Sequence, residues 1–366
     1  MGEQRQKNKG RRRFRIVAMT GGTLLIGLLL LLGVARQMLT GYQDPWHEKV
    51  AAAGYQQKQV RLNQLRLNYV EGPDNGPPLL LLHAQHMEWL SYSRVLPRLA
   101  ESFHVFAVDY PGHGTTVGPP DYPMTANRIG TDLGDFIVRV IGEPAFVTGN
   151  SSGGLLAVWL AANRPGLVRA VLLEDPPLFS AEYPRIRETI AYRSFVTSHE
   201  FVEEGGNDFL LYWIDRNRGF FDNNVFRGAA SLLTLAVNTY RNANPGVPVE
   251  IRFLPNDTVR LLVRGLDRYD PRFGAAFFDG SWNDGFDHAE ALMRITCPVL
   301  LLHASFRYLE DGTLAGAMSQ EEADRVMSLL NDGRYLKVDA SHVVHLDQPA
   351  EFIGLVEDFF LEPPIR

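Results

Sequence analysis

One cysteine, Cys297, stands in 366 residues. A lone thiol excludes an intrachain disulfide and any cysteine-based metal cluster. Its neighbours Ile295, Pro298, Val299 and Leu300 mark the approach to a buried strand, so the thiol is expected to pack as a small apolar group. The histidines and carboxylates lack metal-ligand spacing, with no H-E-x-x-H, and neither metal nor cofactor is expected. Internal repeats are absent too. Net positive charge is confined to the first 15 residues, which hold seven basic side chains and one acid, Glu3. The rest carries 29 basic against 41 acidic groups, which argues against nucleic acid as a partner of the folded body.

What is present begins with a long apolar run. Residues 16–35 contain no charge and would span about 30 Å as a helix, the thickness of a bilayer hydrocarbon core. The basic tail, 1–15, flanks it on the N-terminal side, so the positive-inside rule puts the tail in the cytoplasm and the body outside. A cleaved signal peptide ending near Gly33-Val34-Ala35 is the competing reading and would give a secreted protein. The run exceeds a usual h-region of roughly 7–15 residues, which favours an uncleaved anchor and a single-pass membrane protein. Residues 36–56 then read as a connector.

Beyond it, strand-like runs alternate with helical ones. Segments 60–65 and 67–70 suggest a leading antiparallel pair; 79–82, 104–109, 145–148, 170–173, 299–302 and 334–338 suggest further strands. Helical segments at 92–102, 124–141, 153–163, 319–331 and 349–360 separate them. The pattern predicts an α/β fold, a mostly parallel central sheet with helices on both faces. About 125 residues between the fourth and fifth of the later strands lack that alternation, and 192–288 holds 17 aromatics in 97 residues. An inserted helical cap is expected there, most of its aromatics forming its own core and some facing a cleft. The domain reading is therefore 57–190 as the first part of the core, 191–290 as the cap and 291–366 as the second part.

The segment Thr148-Gly149-Asn150-Ser151-Ser152-Gly153-Gly154 is G-x-S-x-G between a strand-like and a helix-like run. Glycines two before and two after Ser151 allow a turn too sharp for a Cβ, lifting one hydroxyl out of the sheet beside the positive end of a helix. Three other landmarks follow the order of one fold: Leu82-His83-Ala84-Gln85-His86 with Trp89, Asp109-Tyr110-Pro111-Gly112-His113-Gly114, and His342-Val343-Val344-His345-Leu346-Asp347-Gln348-Pro349. On these residues, across roughly 60–361, the chain resembles the α/β-hydrolase superfamily. The resemblance implies Ser151 as nucleophile, His342 as general base and later acid, and the backbone N–H groups of Gln85 and Ser152 as oxyanion donors. Because that first donor is main chain, Ala84 can stand where the family usually has glycine. His345 reads as a packing or polar-shell residue, and His83 and Asp109 as residues that shape their loops. His86 could line the cleft or lie on the surface.

The orienting acid is not marked by the family's usual position, which Arg307 occupies. Asp175, after the 170–173 strand, fits an alternative position; Asp311 and Glu310 could reach back if their loop bends. Asp175 is the preferred assignment. A serine at 151 implies acyl transfer to water, whereas an aspartate would imply an alkyl-enzyme ester. The expected activity is hydrolysis of an ester or related acyl bond in a small, largely apolar substrate by a membrane-anchored serine hydrolase. A catalytically weak ligand-binding protein on the same fold is the alternative that the displaced acid motivates. Asn256-Asp257-Thr258 also matches a glycan acceptor, which matters only in a eukaryotic secretory setting.

Overall fold

A computed structural model describes residues 27, 29–31, 33, 34, 36, 37, 39–224 and 226–361. The basic tail and most of the 16–35 run lie outside the described residues. Of that run, Leu29, Leu30, Leu31 and Val34 are helical and exposed. Among the described residues no helix is long and apolar enough to cross a membrane.

Two antiparallel strands open the sheet, β1 (Gln56–Leu62) and β2 (Leu65–Glu71), with Leu62 opposite Leu65. The turn falls at Asn63, whose φ of 54° is left-handed, and not at Arg66 as the apolar spacing suggests. Asparagine tolerates that conformation better than most residues, so turn chemistry overrides the apolar spacing. The remaining main-sheet strands are β3 (Pro78–Leu82), β4 (His104–Asp109), β5 (Ala145–Asn150), β6 (Val168–Glu174), β7 (Val299–His303) and, after a two-residue hairpin of β8 (Arg307–Tyr308) and β9 (Leu314–Ala315), β10 (Gly333–Lys337). Their order is β1-β2-β4-β3-β5-β6-β7-β10, and β2 alone runs against its neighbours. β3 and β7 are buried at all their residues, as expected of parallel strands covered on both faces.

The helices are α1 (Trp46–Ala52), α2 (Ala126–Phe136), α3 (Ser152–Asn163), α4 (Tyr192–Glu203), α5 (Phe209–Arg216), α6 (Arg218–Asn224), α7 (Ala229–Ala243), α8 (Asp257–Leu266), α9 (Arg272–Asp279), α10 (His288–Arg294), α11 (Gln320–Leu329), α12 (Val344–Asp347) and α13 (Pro349–Leu361). The expected helix at 92–102 is instead a 3₁₀ turn, Trp89–Arg94, and one further turn, Leu96–Leu99. Side-chain alternation along the strands splits the core in two. Leu80, Leu82 and Val147 face α2 and α3, while Leu79, Leu81 and Leu172 pack with Leu99, Phe352 and Val356. α3 is buried along all its length except Asn163, a helix apolar on every side and therefore enclosed.

Helices α4 to α9 lie between β6 and β7 in the chain and carry an aromatic core of their own. Phe195 stacks on Phe277 at 5.0 Å and Phe277 on Trp282 at 4.4 Å. Asn256 is the N-cap of α8, its side chain accepting from Val259 N at 2.9 Å. The residues just before α1 are tied down as well. Asp44 N donates to Glu250 Oε2 at 2.5 Å, and Arg94 pairs with both Asp44 and Asp257. Cys297 is half-buried, and burial pushes its thiol up to about 11.

Candidate active site

Parallel strands bring their carboxyl ends to one edge, where open α/β sheets bind ligands. Here the ends are level: Leu82 pairs with Gly149, Asn150 with Glu174 and Glu174 with Leu302. The residues that follow β3, β5 and β6 (Gln85, Ser151 and Asp175) therefore leave the sheet side by side. His342 follows β10.

Ser151 forms the turn between β5 and α3 at φ 56° and ψ −121°. For a residue with a side chain this costs about 1–3 kcal/mol and persists only where the surroundings impose it. Three hydrogen bonds do so, Ser151 N to Glu174 O at 3.0 Å, Gly154 N to Ser151 O at 2.9 Å and Leu155 N to Ser151 O at 3.2 Å. The glycines on either side are obligatory. A Cβ on Gly149 would lie 2.2 Å from Gly153 O, and one on Gly153 would lie 2.1 Å from Leu82 O. Both obstacles are backbone and cannot move aside.

Asp175 also has a left-handed backbone, φ 47°, fixed by its N–H donating to Leu302 O at 2.9 Å. Its carboxylate is buried and accepts twice, from Ala304 N at 3.1 Å on Oδ1 and from His342 Nδ1 at 2.6 Å on Oδ2. A carboxylate only accepts, so the imidazole carries its proton on Nδ1 and leaves Nε2 free to accept. Burial disfavours the imidazolium, but the hydrogen bond and charge of Asp175, with Glu174 behind, outweigh it and hold the His342 pKa above its ordinary value. Asp311 and Glu310 lie exposed in the β8–β9 loop, where the Asp311 carboxylate accepts from Thr313 N at 3.0 Å. Arg307 opens that hairpin and is exposed.

The structure brings Gln85, Ser151, Ser152 and His342 to the wall of one cavity of about 210 Å³. The rest of its wall is mainly apolar, with Ile186, Ile190, Phe195 and Phe277 prominent. The last two come from the aromatic core between β6 and β7, so part of that core does face the cleft. A larger cavity of about 480 Å³, lined by Asp208, Arg241 and Asp267 among others, holds no nucleophile–base pair. Arg241 there is already paired with Asp208 and Asp267.

Several supporting residues were not singled out from sequence. Asn150 Nδ2 donates to Glu174 O at 3.1 Å and to His342 O at 2.9 Å, tying the histidine loop to the elbow. Glu174 accepts from His345 N at 2.9 Å and from His345 Nδ1 at 2.8 Å, which seats α12 immediately after His342. His345 is buried and stacked on Tyr92 at 4.1 Å, a polar-shell residue that does not line the cavity. Tyr110 Oη lies 2.9 Å from Ser152 Oγ and donates to His83 O at 3.0 Å, linking the two loops that flank Ser151. The one signal for Asn150 and Glu174 was polarity at the ends of otherwise apolar strands, since buried polar groups must find partners. His83 is buried, its Nδ1 donating to Ala84 O at 2.8 Å, and burial drives its pKa down to about 3. Asp109 accepts from Trp89 N, Asn68 Nδ2 and Thr115 N; burial and then the Glu88 charge raise its pKa above the usual carboxylate range. Both residues fix loops.

With this sheet, elbow and histidine–aspartate contact, the fold is that of an α/β hydrolase. The profile described as the Alpha/beta hydrolase family matches residues 79–355, and the chain belongs to that family. Among curated proteins it is 34% identical over 293 residues to the pimeloyl-[acyl-carrier protein] methyl ester esterase of Nitrosospira multiformis, an alignment covering 80% of this chain and 97% of that one. Among solved structures it is similar to a membrane phospholipase A described as a bacterial virulence factor, with TM-score 0.59, 22% identity and coverage of 92% of this chain and 97% of the other. An enol-lactonase from Burkholderia xenovorans superposes with TM-score 0.57 at 18% identity, covering 83% of this chain and all of that one.

Proposed function

We propose that the protein is a serine hydrolase that cleaves an ester, or a related acyl bond, of a small and largely apolar substrate. Ser151 attacks the acyl carbon and His342 takes its proton on Nε2, later returning it to the leaving group. Asp175 keeps the imidazole in the required tautomer and stabilises the imidazolium as it forms. The N–H groups of Gln85 and Ser152 receive the developing oxyanion. Deacylation by water, with His342 as base, restores the serine. The 2.6 Å contact between His342 and Asp175, at a cavity that also holds Ser151, carries this reading. A serine at the elbow, rather than an aspartate, favours an acyl-enzyme. The esterase relative supports the bond class.

Cavity size supports a modest acyl group, because about 210 Å³ is below the ~300 Å³ at which pockets for drug-sized ligands begin. The uncharged run at 16–35, with its basic flank, supports tethering to a membrane with the catalytic body outside the cytoplasm. The full chain, in detergent, should hydrolyse p-nitrophenyl esters with a preference for short to medium acyl chains, and Ser151→Ala should remove that activity. An inert wild type, or an active Ser151→Ala, would defeat the proposal. Retention in the membrane fraction after an alkaline carbonate wash tests the tether separately.

A further inference from the structure

The loop that carries Gln85 draws support from another segment as well as from the His83 bond to Ala84 O. His86 sits at φ 62°, left-handed for a residue with a Cβ, and the loop's own main chain contributes one bond, Met87 N to Ala84 O at 3.1 Å. The segment 257–269 grips it at three points. Gln85 Nε2 donates to Tyr269 Oη at 2.6 Å and faces His86 Nε2 at 3.1 Å, so both amide hydrogens have a direction fixed for them. The carbonyl of His86 is backed by Gly265 of α8, where a Cβ would lie 2.0 Å from the oxygen. Glu88 Oε1 accepts from Arg264 Nε at 2.6 Å, and both side chains are buried.

The grip is itself anchored. Arg264 Nη1 donates to Glu250, and Glu250 accepts from Asp44 N at 2.5 Å and from His47 Nε2 at 2.7 Å, both in the connector. A buried arginine with two carboxylate partners is a rigid strut, since its planar fork loses its geometry if either partner shifts. Of these groups only Gln85 lines the 210 Å³ cavity; Tyr269, Arg264 and Glu88 stand behind it.

We propose that Tyr269 and Arg264 are positioning residues that hold the Gln85 N–H toward Ser151, so that the cap sets transition-state stabilisation and not only access to the cleft. This rests on the serine-hydrolase reading above for its catalytic consequence, but the mechanical part stands on the loop alone. Tyr269→Phe deletes one hydroxyl and keeps the ring. Loss of one positioning hydrogen bond should lower kcat on p-nitrophenyl butyrate by about 10-fold, with KM within about twofold because ground-state binding is untouched. Affinity for a trifluoromethyl ketone, which mimics the tetrahedral adduct, should fall by the same factor.

Hydrogen exchange of the 84–88 amides, read without substrate, should accelerate in Tyr269→Phe while exchange across 145–155 stays unchanged. Arg264→Lys, which keeps charge but not the fork, should accelerate exchange in the same loop. Unchanged exchange at 84–88 in both variants, or acceleration spread through the whole protein, would overturn the proposal. So would an active wild type whose kcat survives Tyr269→Phe. An inactive wild type would count against the hydrolase reading, and loop exchange would still decide this one.

Discussion

Asparagine in place of Asp175 is nearly isosteric, yet no orientation of its amide serves both neighbours. If its oxygen stays on Ala304 N, now 3.1 Å from Oδ1, the NH₂ faces His342 Nδ1. Nδ1 must then accept, the ring proton moves to Nε2, and the nitrogen that should take the serine proton is blocked. If the amide turns over, its NH₂ meets the Ala304 N–H, two donors in a buried site. Either outcome removes the base without disturbing the elbow. The loss in kcat/KM should be on the order of 10³–10⁴-fold, about 4–5.5 kcal/mol of transition-state stabilisation.

The acid limb of the pH profile reports the same contact. In the wild type, activity should fall as pH drops through the His342 pKa, which Asp175 holds above 6.5. A raised folded pKa means that the imidazolium stabilises the native state, fully below pH 6.5 and progressively less as pH rises through the folded value. The melting temperature of Asp175→Asn should thus lie further below wild type at pH 5.5 than at pH 8.5, by a small margin because His342 is 41% exposed and its charge is screened. Steady-state hydrolysis of p-nitrophenyl butyrate, with a thermal melt at each pH, measures both. Retention of activity within 10-fold, or loss on Asp311→Asn instead, would refute the assignment of Asp175.

Gly153→Ala places a Cβ 2.1 Å from Leu82 O and 2.6 Å from His83 O, so it should cost about 3 kcal/mol or more and show as a lower denaturation midpoint or insoluble chain. Ile190→Ala removes a half-exposed apolar wall of the cavity and should raise kcat/KM for octanoate relative to butyrate esters by roughly three- to tenfold, with little change in stability. Cys297, with its thiol near 11, should react with iodoacetamide at pH 7.5 roughly 100-fold more slowly than glutathione, as followed by intact mass.

The core of the fold was open to reading because its strands are short unbroken apolar runs and α3 is apolar on all sides. The elbow was open because a Cβ at 149 or 153 would fall 2.2 or 2.1 Å from a backbone oxygen, which leaves glycine no alternative there. Boundaries moved where turn chemistry outweighed hydrophobic spacing, as at Asn63. The acid was ambiguous in sequence because its position depends on which strand end faces the histidine. That is a matter of register: Glu174 pairs with Leu302, which sets Asp175 beside Ala304 and His342. Arg307 could not reveal it. Asn150, Glu174 and Tyr110 escaped notice because they act on main-chain atoms or histidine rings far away in sequence, contacts that no spacing rule encodes.

Labelling with a fluorophosphonate tests the central claim most directly, since the reagent reacts with a serine only where a base and oxyanion donors activate it. The folded wild type should take up one equivalent, located on the peptide containing Ser151, and both Ser151→Ala and His342→Ala should take up none. A folded wild type that stays unlabelled, or one labelled at another residue, would contradict the account.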